Sequence, residues 1–184
     1  MSGEAGEAAA PPRPVLAGRT VTLRPGRPGD ALLLRAILAE PSVSRWWGEP
    51  GPAEELAAAL RSDGPTVLLV VEIGGEVAGG IQYSEEDDPQ YRHAGIDIYL
   101  GSRFQGRGAG TEAVTLLAGF LFRARGHHRL TIDPAADNDR AIRCYARVGF
   151  RPVGVMRAYE RGPDGRFHDG LLMDMLAAEL RCGL

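Results

Sequence analysis

Cysteine is scarce in this sequence, and positive charge is not in excess. Cys144 and Cys182 are its two cysteines, so we expect no disulfide framework and a reducing, cytoplasmic location. The 21 basic residues are outnumbered by 24 acidic ones, and the net charge is -3. No basic face dominates, so a nucleic-acid partner is not expected.

Long apolar runs are also missing, and so is a secretory signal. No run is long enough to span a bilayer, so we expect no membrane association. Residues 1–14 are rich in alanine, glutamate, glycine and proline, without the basic start and apolar stretch of a leader. We predict a disordered tail over 1–17 and a single domain over 18–184, which is long enough to bury a core.

The hydrophobic pattern predicts both strands and helices. Strands are predicted at 20–24, 66–73, 77–83, 94–100, 128–132, 151–159 and 168–176. Helices are predicted at 31–38, 41–47, 52–60, 111–125 and 138–148. This order indicates an α/β or α+β fold, in which helices pack against a sheet of about seven strands.

A glycine-rich segment, QGRGAG at 105–110, lies where a strand should pass into a helix. Glycine lets a ligand approach the backbone closely, and the helix start offers free N–H groups and a positive dipole end. A pyrophosphate is the natural ligand of such a turn. Arg103 and Arg107 lie beside it and could pair with further phosphate charge.

Other phosphate-binding turns fit this segment less well. A Walker A loop requires Gly-Lys-Ser/Thr, which is absent, and the dinucleotide pattern requires glycine where Thr111 stands. Asp133 does follow at a strand end, about 20 residues later, as an NAD site requires. The repeated βαβ units of that fold are missing, however. On these residues alone, a plain turn without a ligand stays open.

Two segments together resemble the GNAT superfamily of N-acetyltransferases. The pattern Gln105-x-x-Gly108-x-Gly110 resembles its motif A, in which backbone amides bind the pyrophosphate of acetyl-CoA. The segment 138–150, with the pattern NxxAIxxYxxxGF, resembles its motif B. The resemblance runs from 20 to 176 and implies the GNAT fold, a mixed and mostly antiparallel sheet flanked by helices.

The resemblance also implies a binding site for acetyl-CoA, the expected cosubstrate. Its residues would come from the strand before the turn, the turn itself and motif B: Ile98, Tyr99, Leu100, Gln105, Gly106, Arg107, Gly108, Ala109, Gly110, Thr111, Asn138 and Arg143. Asn138 can also cap its own helix. A homodimer through the C-terminal strands is a further implication of the family.

A narrower resemblance concerns the acceptor. The segments SRWWG at 44–48, GID at 95–97, DP at 133–134 and RAIRCY at 140–145 look like bacterial aminoglycoside 6'-N-acetyltransferases. This implies a 6'-amine bound by Trp46, Trp47, Asp97 and Asp133, with core packing as the alternative for the tryptophans and a plain turn at the strand end as the alternative for Asp133. The segment HDGLLM at 168–173 looks instead like ribosomal-protein N-terminal acetyltransferases. A protein or peptide α-amine and a siderophore precursor therefore stay open as acceptors.

Acetyl transfer requires a group that takes the proton of the amine and one that protonates the departing thiolate. Asp97, in the strand before the turn, is the expected proton acceptor or cation contact, and a structural ion pair is its alternative. Tyr145 is the expected acid, because the resemblance implies a tyrosine near the CoA sulfur and an ordinary tyrosine is protonated at neutral pH; core packing is its alternative. A backbone N–H between Ile98 and Leu100 should face the thioester oxygen. With Asp97 and Tyr145 both present, a non-catalytic acetyl-CoA-binding protein is disfavoured.

Three further features bear on the chemistry. Cys144 has no histidine at a recognisable spacing to activate it, so a covalent acetyl-cysteine is not expected. His127 and His128 are adjacent rather than a helical turn apart, so no metal site is expected. The acidic segment 85–88 is predicted as a loop beside the cleft, where it would attract a small, polycationic amine; solvated surface is its alternative.

Overall fold

The computed structural model describes residues 13–62 and 64–181, which form an eight-stranded sheet with helices on both faces. The strands are β1 (Leu16–Ala17), β2 (Val21–Arg24), β3 (Thr66–Ile73), β4 (Glu76–Glu86), β5 (His93–Leu100), β6 (Arg129–Ile132), β7 (Arg151–Arg161) and β8 (Phe167–Leu176). The helices are α1 (Asp30–Leu38), α2 (Pro41–Trp47), α3 (Ala53–Ala59), α4 (Ala109–Arg123) and α5 (Asp139–Val148). The predicted fold, a mixed and mostly antiparallel sheet flanked by helices, is confirmed.

The sheet has the order β1-β2-β3-β4-β5-β6-β8-β7. Among the described strands, β5 and β6 are the one parallel pair, because α4 carries the chain back along the sheet between them. Their pairing covers only Ala94 opposite Leu130 and Gly95 opposite Thr131. The two strands separate beyond these pairs, and this opening positions the site.

Strand β1 lies inside the segment predicted as a disordered tail. Leu16 pairs with Leu23, and Ala17 pairs with Thr22 of β2. A two-residue strand is too short to leave an alternating pattern in the sequence, so the sheet has one strand more than the predicted number. Residues 1–12 of the predicted tail lie outside the described residues, and so does Cys182.

Each face of the sheet has its own apolar core. Leu69 and Ile81 enter a core covered by α4 and α5, where Leu117 of α4 is fully buried. Leu68 and Val70 enter a second core, covered by α1, α2 and α3. Because successive side chains of a strand alternate between faces, a position in a strand decides which set of helices the residue meets.

Helix α4 is 15 residues long and begins at Ala109, two residues before its predicted start. Its buried residues recur every three or four positions and face the sheet. Taken over the described part of the chain, no helix has both the length and the apolar character needed to cross a membrane.

Strand β7 forms one edge of the sheet. Its side chains are largely exposed, including Val153 at 54% and Val155 at 58%. The homodimer through the C-terminal strands stays a prediction.

Candidate active site

The separation of β5 and β6 opens a cleft of about 610 Å³. The end of β5 forms one wall and the segment after β6 forms the other, while α2, α5 and β7 contribute side chains around them. The predicted site residues that line this cleft are Trp46, Trp47, Asp97, Ile98, Tyr99, Leu100, Gln105, Gly106, Asp133, Asn138 and Tyr145.

The backbone of β5 directs two N–H groups toward this cleft. Gly101 N donates to Ala78 O of β4 at 2.9 Å, which fixes the alternation along the antiparallel pair. By that alternation the N–H of Tyr99 points to β4, whereas those of Ile98 and Leu100 point to the side where β6 no longer pairs. These two N–H groups are the candidates for contacting a thioester oxygen.

The glycine turn requires glycine for its backbone conformation. Gly106 has a φ of 73° and Gly108 has a φ of 85°, both in the left-handed region that favours glycine. A Cβ at either position would meet no atom within 4 Å, so the surface of the turn is open. An open, left-handed turn before a helix fits a pyrophosphate held by backbone amides.

Helix α4 begins within this turn, with Gly108 as its N-cap. Its first helical hydrogen bond runs from Glu112 N to Gly108 O at 3.0 Å, so the N–H groups of Ala109, Gly110 and Thr111 have no helical acceptor. The Thr111 side chain faces inward, with its Oγ1 3.3 Å from Cys144 Sγ. Thr111 can therefore contribute to anion binding through its N–H group.

Gln105 connects the turn to the end of β5 and to α5. Its Nε2 donates to Leu100 O at 2.6 Å, and its Oε1 accepts from Arg140 Nη1 at 2.6 Å. Because both the nitrogen and the oxygen of the amide are already hydrogen-bonded, the side chain of Gln105 supports the turn. A phosphate ligand would then be bound by backbone N–H groups of the turn.

Tyr145 reaches the cleft from α5. Asn138 caps this helix as predicted, since its Oδ1 accepts from Ala141 N at 3.2 Å. Tyr145 is 7% exposed and packs edge-on against Phe150, so it also contributes to the core. Burial raises its pKa well above the ordinary value, which keeps the hydroxyl protonated and able to donate a hydrogen bond.

Asp97 lies on β5, and its side chain points to the same face as Tyr99, the face of α1, α2 and α3. Its Oδ2 accepts from Gln82 Nε2 at 3.0 Å. Burial is the main cause that raises the pKa of Asp97; the hydrogen bond from Gln82 opposes it, and the charge of Asp133 adds to it. A raised pKa suits a carboxylate that takes a proton from an amine.

Three carboxylates line the cleft together: Asp97 from β5, Asp133 after β6 and Glu160 from β7. Burial, then the charges of Asp133 and Asp97, raise the pKa of Glu160, and the charge of His168 opposes them. Among the described residues, no side-chain nitrogen of an arginine or histidine lies within 4.0 Å of a carboxylate oxygen of the three. This uncompensated negative charge would be neutralised by a cationic ligand.

The sequence matches the Acetyltransferase (GNAT) family over residues 34–150, more than half of the chain. The chain belongs to this family. The aminoglycoside N(6')-acetyltransferase type 1 of Klebsiella pneumoniae is 32% identical over 165 residues, which cover 79% of each chain. The spermidine N(1)-acetyltransferase of Escherichia coli (strain K12) is 27% identical over 159 residues, 84% of each chain.

A solved structure supports the same family. Mycobacterium smegmatis RimJ in complex with CoA-disulfide superposes with a TM-score of 0.77 at 27% identity, over 89% of this chain and 85% of that one. The present protein is therefore an acetyl-CoA-dependent N-acetyltransferase, and the predicted family, enzyme class and cosubstrate are confirmed.

Six residues predicted to bind acetyl-CoA do not line the cleft of this acetyltransferase: Arg107, Gly108, Ala109, Gly110, Thr111 and Arg143. The first five continue the chain from Gly106, which does line it. Arg143 is different, because its side chain is 66% exposed and lies 3.9 Å from Asp139. The cleft-lining positions of α5 are 140, 141, 144 and 145, which share one helical face, so Arg140 is the arginine of α5 that lines the cleft; contact between Arg143 and acetyl-CoA stays a prediction.

An irregularity in β7 brings Tyr159 and Glu160 to the cleft, two residues that sequence reasoning missed. Ala158 has a φ of 49°, and its N–H donates to Asp169 Oδ1 at 2.8 Å. A Cβ at Gly170 would come within 2.9 Å of the Tyr159 ring, so glycine leaves room for it. Asp169 and Gly170, both in the segment HDGLLM, thus shape β7.

The hydrogen bond to the Asp133 carboxylate is the largest cause that raises the pKa of Tyr159.

The acidic segment 85–88 is a loop only in part, and Glu85 and Glu86 line a second pocket beside the cleft together with Asp97, Asp133 and Tyr159. Strand β4 extends to Glu86. The Glu85 side chain is 9% exposed, lies 2.8 Å from Arg125 and 2.6 Å from His127, and so has its charge compensated. The carboxylates that line the cleft itself are those of Asp97, Asp133 and Glu160.

Trp46 and Trp47 line the cleft from α2. The Arg45 guanidinium lies 4.4 Å from the ring centroid of Trp46. Trp47 packs edge-on against Tyr99 with 4.9 Å between ring centroids, yet is 39% exposed. Both tryptophans therefore pack against a neighbouring side chain and also line the cleft.

Cys144 lines the cleft but is not activated. Burial is the main cause that raises the pKa of its thiol, so the thiol stays protonated, whereas a nucleophilic cysteine is a thiolate. In the described residues, no cluster of three or more histidine, cysteine, aspartate or glutamate side chains is placed to hold a metal ion.

Proposed function

We propose that this acetyltransferase acetylates the 6'-amine of an aminoglycoside. The observation that carries the proposal is the set of three uncompensated carboxylates, Asp97, Asp133 and Glu160, in one cleft with Trp46 and Trp47. An aminoglycoside carries several ammonium groups on sugar rings. Carboxylates attract the ammonium groups, and an aromatic face packs against a ring.

The two faces of the sheet would divide the work. The glycine turn and Tyr145 belong to the face of α4 and α5, whereas Asp97 belongs to the face of α1, α2 and α3. The gap between β5 and β6 joins these faces. A thioester held by the turn and an amine held by the carboxylates can therefore meet inside the gap without an acetyl-enzyme.

Bound acetyl-CoA supplies an activated acetyl group, and the side chains manage its protons. Asp97 takes a proton from the ammonium, directly or through water, and frees the nitrogen lone pair for attack. As the carbon–nitrogen bond forms and the carbon–sulfur bond breaks, an N–H of Ile98 or Leu100 donates to the thioester oxygen. The Tyr145 hydroxyl donates to the departing sulfur.

A polyamine is the second candidate acceptor, because the spermidine acetyltransferase relative is also similar. The same carboxylates would attract a linear polyamine. The tryptophans favour the aminoglycoside, since a flexible chain gains less than a sugar ring from two aromatic walls.

The test is release of free thiol from acetyl-CoA with a panel of acceptors. The panel contains aminoglycosides with a 6'-amine, matched compounds with a 6'-hydroxyl, spermidine, N-hydroxylysine and short peptides. The 6'-amine compounds should give the highest kcat/KM, with the product acetylated at that nitrogen. Faster turnover of spermidine or a peptide, or equal turnover of the 6'-hydroxyl compounds, would overturn the proposal.

Such an activity would make a susceptible bacterium resistant to aminoglycosides that carry a 6'-amine. Expression of the protein should raise the inhibitory concentration of those compounds and leave that of the matched 6'-hydroxyl compounds unchanged. The Asp97→Asn variant is the control for effects of expression alone.

A further inference from the structure

The first turn of α4 is attached to the N-terminal hairpin of the sheet through Glu112. Its Oε1 accepts from Thr20 N at 2.8 Å and from Val21 N at 3.2 Å, and its Oε2 accepts from the Thr20 hydroxyl. Thr20 lies in the turn between β1 and β2, 92 residues before Glu112 in the sequence, and Val21 is the first residue of β2.

The β1–β2 turn is shaped around this carboxylate. Gly18 N donates to Val21 O at 2.8 Å and closes the turn. A Cβ at Gly18 would lie 2.4 Å from Glu112 Oε1, so the carboxylate occupies the space that a side chain would need. Partial burial acts to raise the pKa of Glu112, but the hydrogen bonds of the turn outweigh it and lower the pKa. Glu112 is therefore ionised at neutral pH.

The backbone of Glu112 connects to the glycine turn. Glu112 N donates to Gly108 O at 3.0 Å, and this bond joins α4 to its own N-cap. Glu112 thus makes two connections: its side chain bonds to the sheet, and its N–H bonds to Gly108, the left-handed glycine of the turn.

The charge of Glu112 also matters at this place. A free carboxylate in the first helical turn would compete with a phosphate for the positive end of the α4 dipole. The donors of the β1–β2 turn engage the carboxylate instead, which leaves the N–H groups at 109–111 to an anionic ligand.

We propose that Glu112 is a positioning residue for the acetyl-CoA pyrophosphate, and that the β1–β2 turn acts through it on acetyl-CoA affinity. The proposal rests on the glycine turn being the pyrophosphate site. It gives the N-terminal hairpin a part in cofactor binding, although the hairpin does not line the cleft.

The test is calorimetric titration of acetyl-CoA into the full chain, with kcat measured at saturating acetyl-CoA. Glu112→Ala should raise the Kd for acetyl-CoA about tenfold and leave kcat unchanged. A tenfold change is the magnitude expected from the loss of one hydrogen bond to a charged group. Glu112→Gln should recover most of the affinity, because its amide oxygen can accept the same two N–H groups. Gly18→Ala, which displaces the carboxylate without removing it, should weaken binding in the same direction.

Arg92→Ala is the matched control at the other end of the helix. The Arg92 guanidinium donates to Arg125 O and Gly126 O, each at 2.8 Å, just beyond the end of α4. This variant should lower the Tm but leave the Kd for acetyl-CoA unchanged. If Arg92→Ala weakens acetyl-CoA as much as Glu112→Ala does, the effect is general loosening of α4 and the proposal is overturned.

Gly108→Val separates this proposal from the assignment of the pyrophosphate site. If Glu112→Ala binds acetyl-CoA like the wild type while Gly108→Val does not, the positioning role of Glu112 is wrong and the site stands. If Gly108→Val also binds normally, the site itself is wrong, and the proposal falls with it.

Discussion

The two sides of the cleft are built in different ways. The cofactor side comes from two continuous segments, 98–111 and 138–145, and most of its expected contacts are backbone N–H groups with fixed geometry. The acceptor side takes one or two side chains from each of α2, β5, the end of β6 and β7. A site made of backbone is specified by local conformation, whereas a site made of scattered side chains is specified by the whole fold.

The two sides also differ in electrostatics. The cofactor side offers N–H groups and the positive end of α4, which are inherent in a helix start. The acceptor side keeps Asp97 and Glu160 in surroundings that raise the pKa of each, so their ionised forms are less stable in the fold than in water. The negative charge of these carboxylates therefore lowers the stability of the folded protein, and a cationic acceptor would neutralise that charge.

Asp97→Asn should have the largest effect, because it removes the proposed base. We expect kcat to fall by about a hundredfold or more, with unchanged acetyl-CoA affinity. In the wild type, kcat/KM should fall as the pH drops through the raised pKa of Asp97. Asp174→Asn, which alters the ion pair with Arg129 on strands β6 and β8, is the control; equal turnover in Asp97→Asn and wild type would remove Asp97 from the mechanism.

The same variant should be slightly more stable than the wild type at neutral pH. A carboxyl whose pKa is raised by folding favours the folded state when protonated, and this contribution is lost as pH rises through the folded pKa. Asparagine removes the charge and keeps an oxygen for Gln82. Carboxyls with a raised pKa titrate between roughly pH 4 and 8. Across this range, the Tm of Asp97→Asn should depend less on pH than the Tm of the wild type.

Gly108→Val tests the cofactor side. A β-branched residue at a φ of 85° is strained, and its side chain would stand on the open surface of the turn. We expect the Kd for acetyl-CoA to rise about tenfold or more, measured by calorimetry. Gly154→Val, on β7 where a Cβ meets no atom within 4 Å, is the control. Tight binding by Gly108→Val would contradict the backbone cradle.

Tyr145→Phe should have a smaller effect on kcat, about tenfold, because a buried hydroxyl with a raised pKa donates a hydrogen bond more readily than a whole proton. Phenylalanine keeps the packing against Phe150, so the Tm should change little. Single-turnover kinetics with saturating acetyl-CoA measure this step. A wild-type rate would leave Tyr145 with its packing role alone.

Glu160→Gln should have the smallest effect, on the acceptor side only. We expect the KM of a polycationic acceptor to rise about fivefold at low salt, and less at high salt, because a partly exposed charge is screened. The KM for acetyl-CoA should not change. Asp87→Asn, in the acidic segment that lies outside the cleft lining, should leave both values unchanged; a larger effect there than at Glu160 would restore the acidic segment as the acceptor contact.

The glycine turn and the helix start after it could be predicted from the sequence, whereas Arg140, Tyr159 and Glu160 of the cleft lining could not. Long periodic segments fix the strands and helices, and a glycine turn before a helix has a local signature. Arg140 was missed because the face of α5 that meets the cleft depends on how the helix is rotated against the sheet. Glu160 was missed because the left-handed residue Ala158 interrupts the alternation of β7.

Direct transfer through the gap between β5 and β6 is tested most directly by initial-velocity kinetics. Acetyl-CoA and the best acceptor are varied together, and double-reciprocal plots are drawn at each fixed acceptor concentration. A ternary complex, with both substrates meeting in the gap, predicts lines that intersect. Parallel lines, with an acetyl group found on Cys144 in the absence of acceptor, would contradict direct transfer.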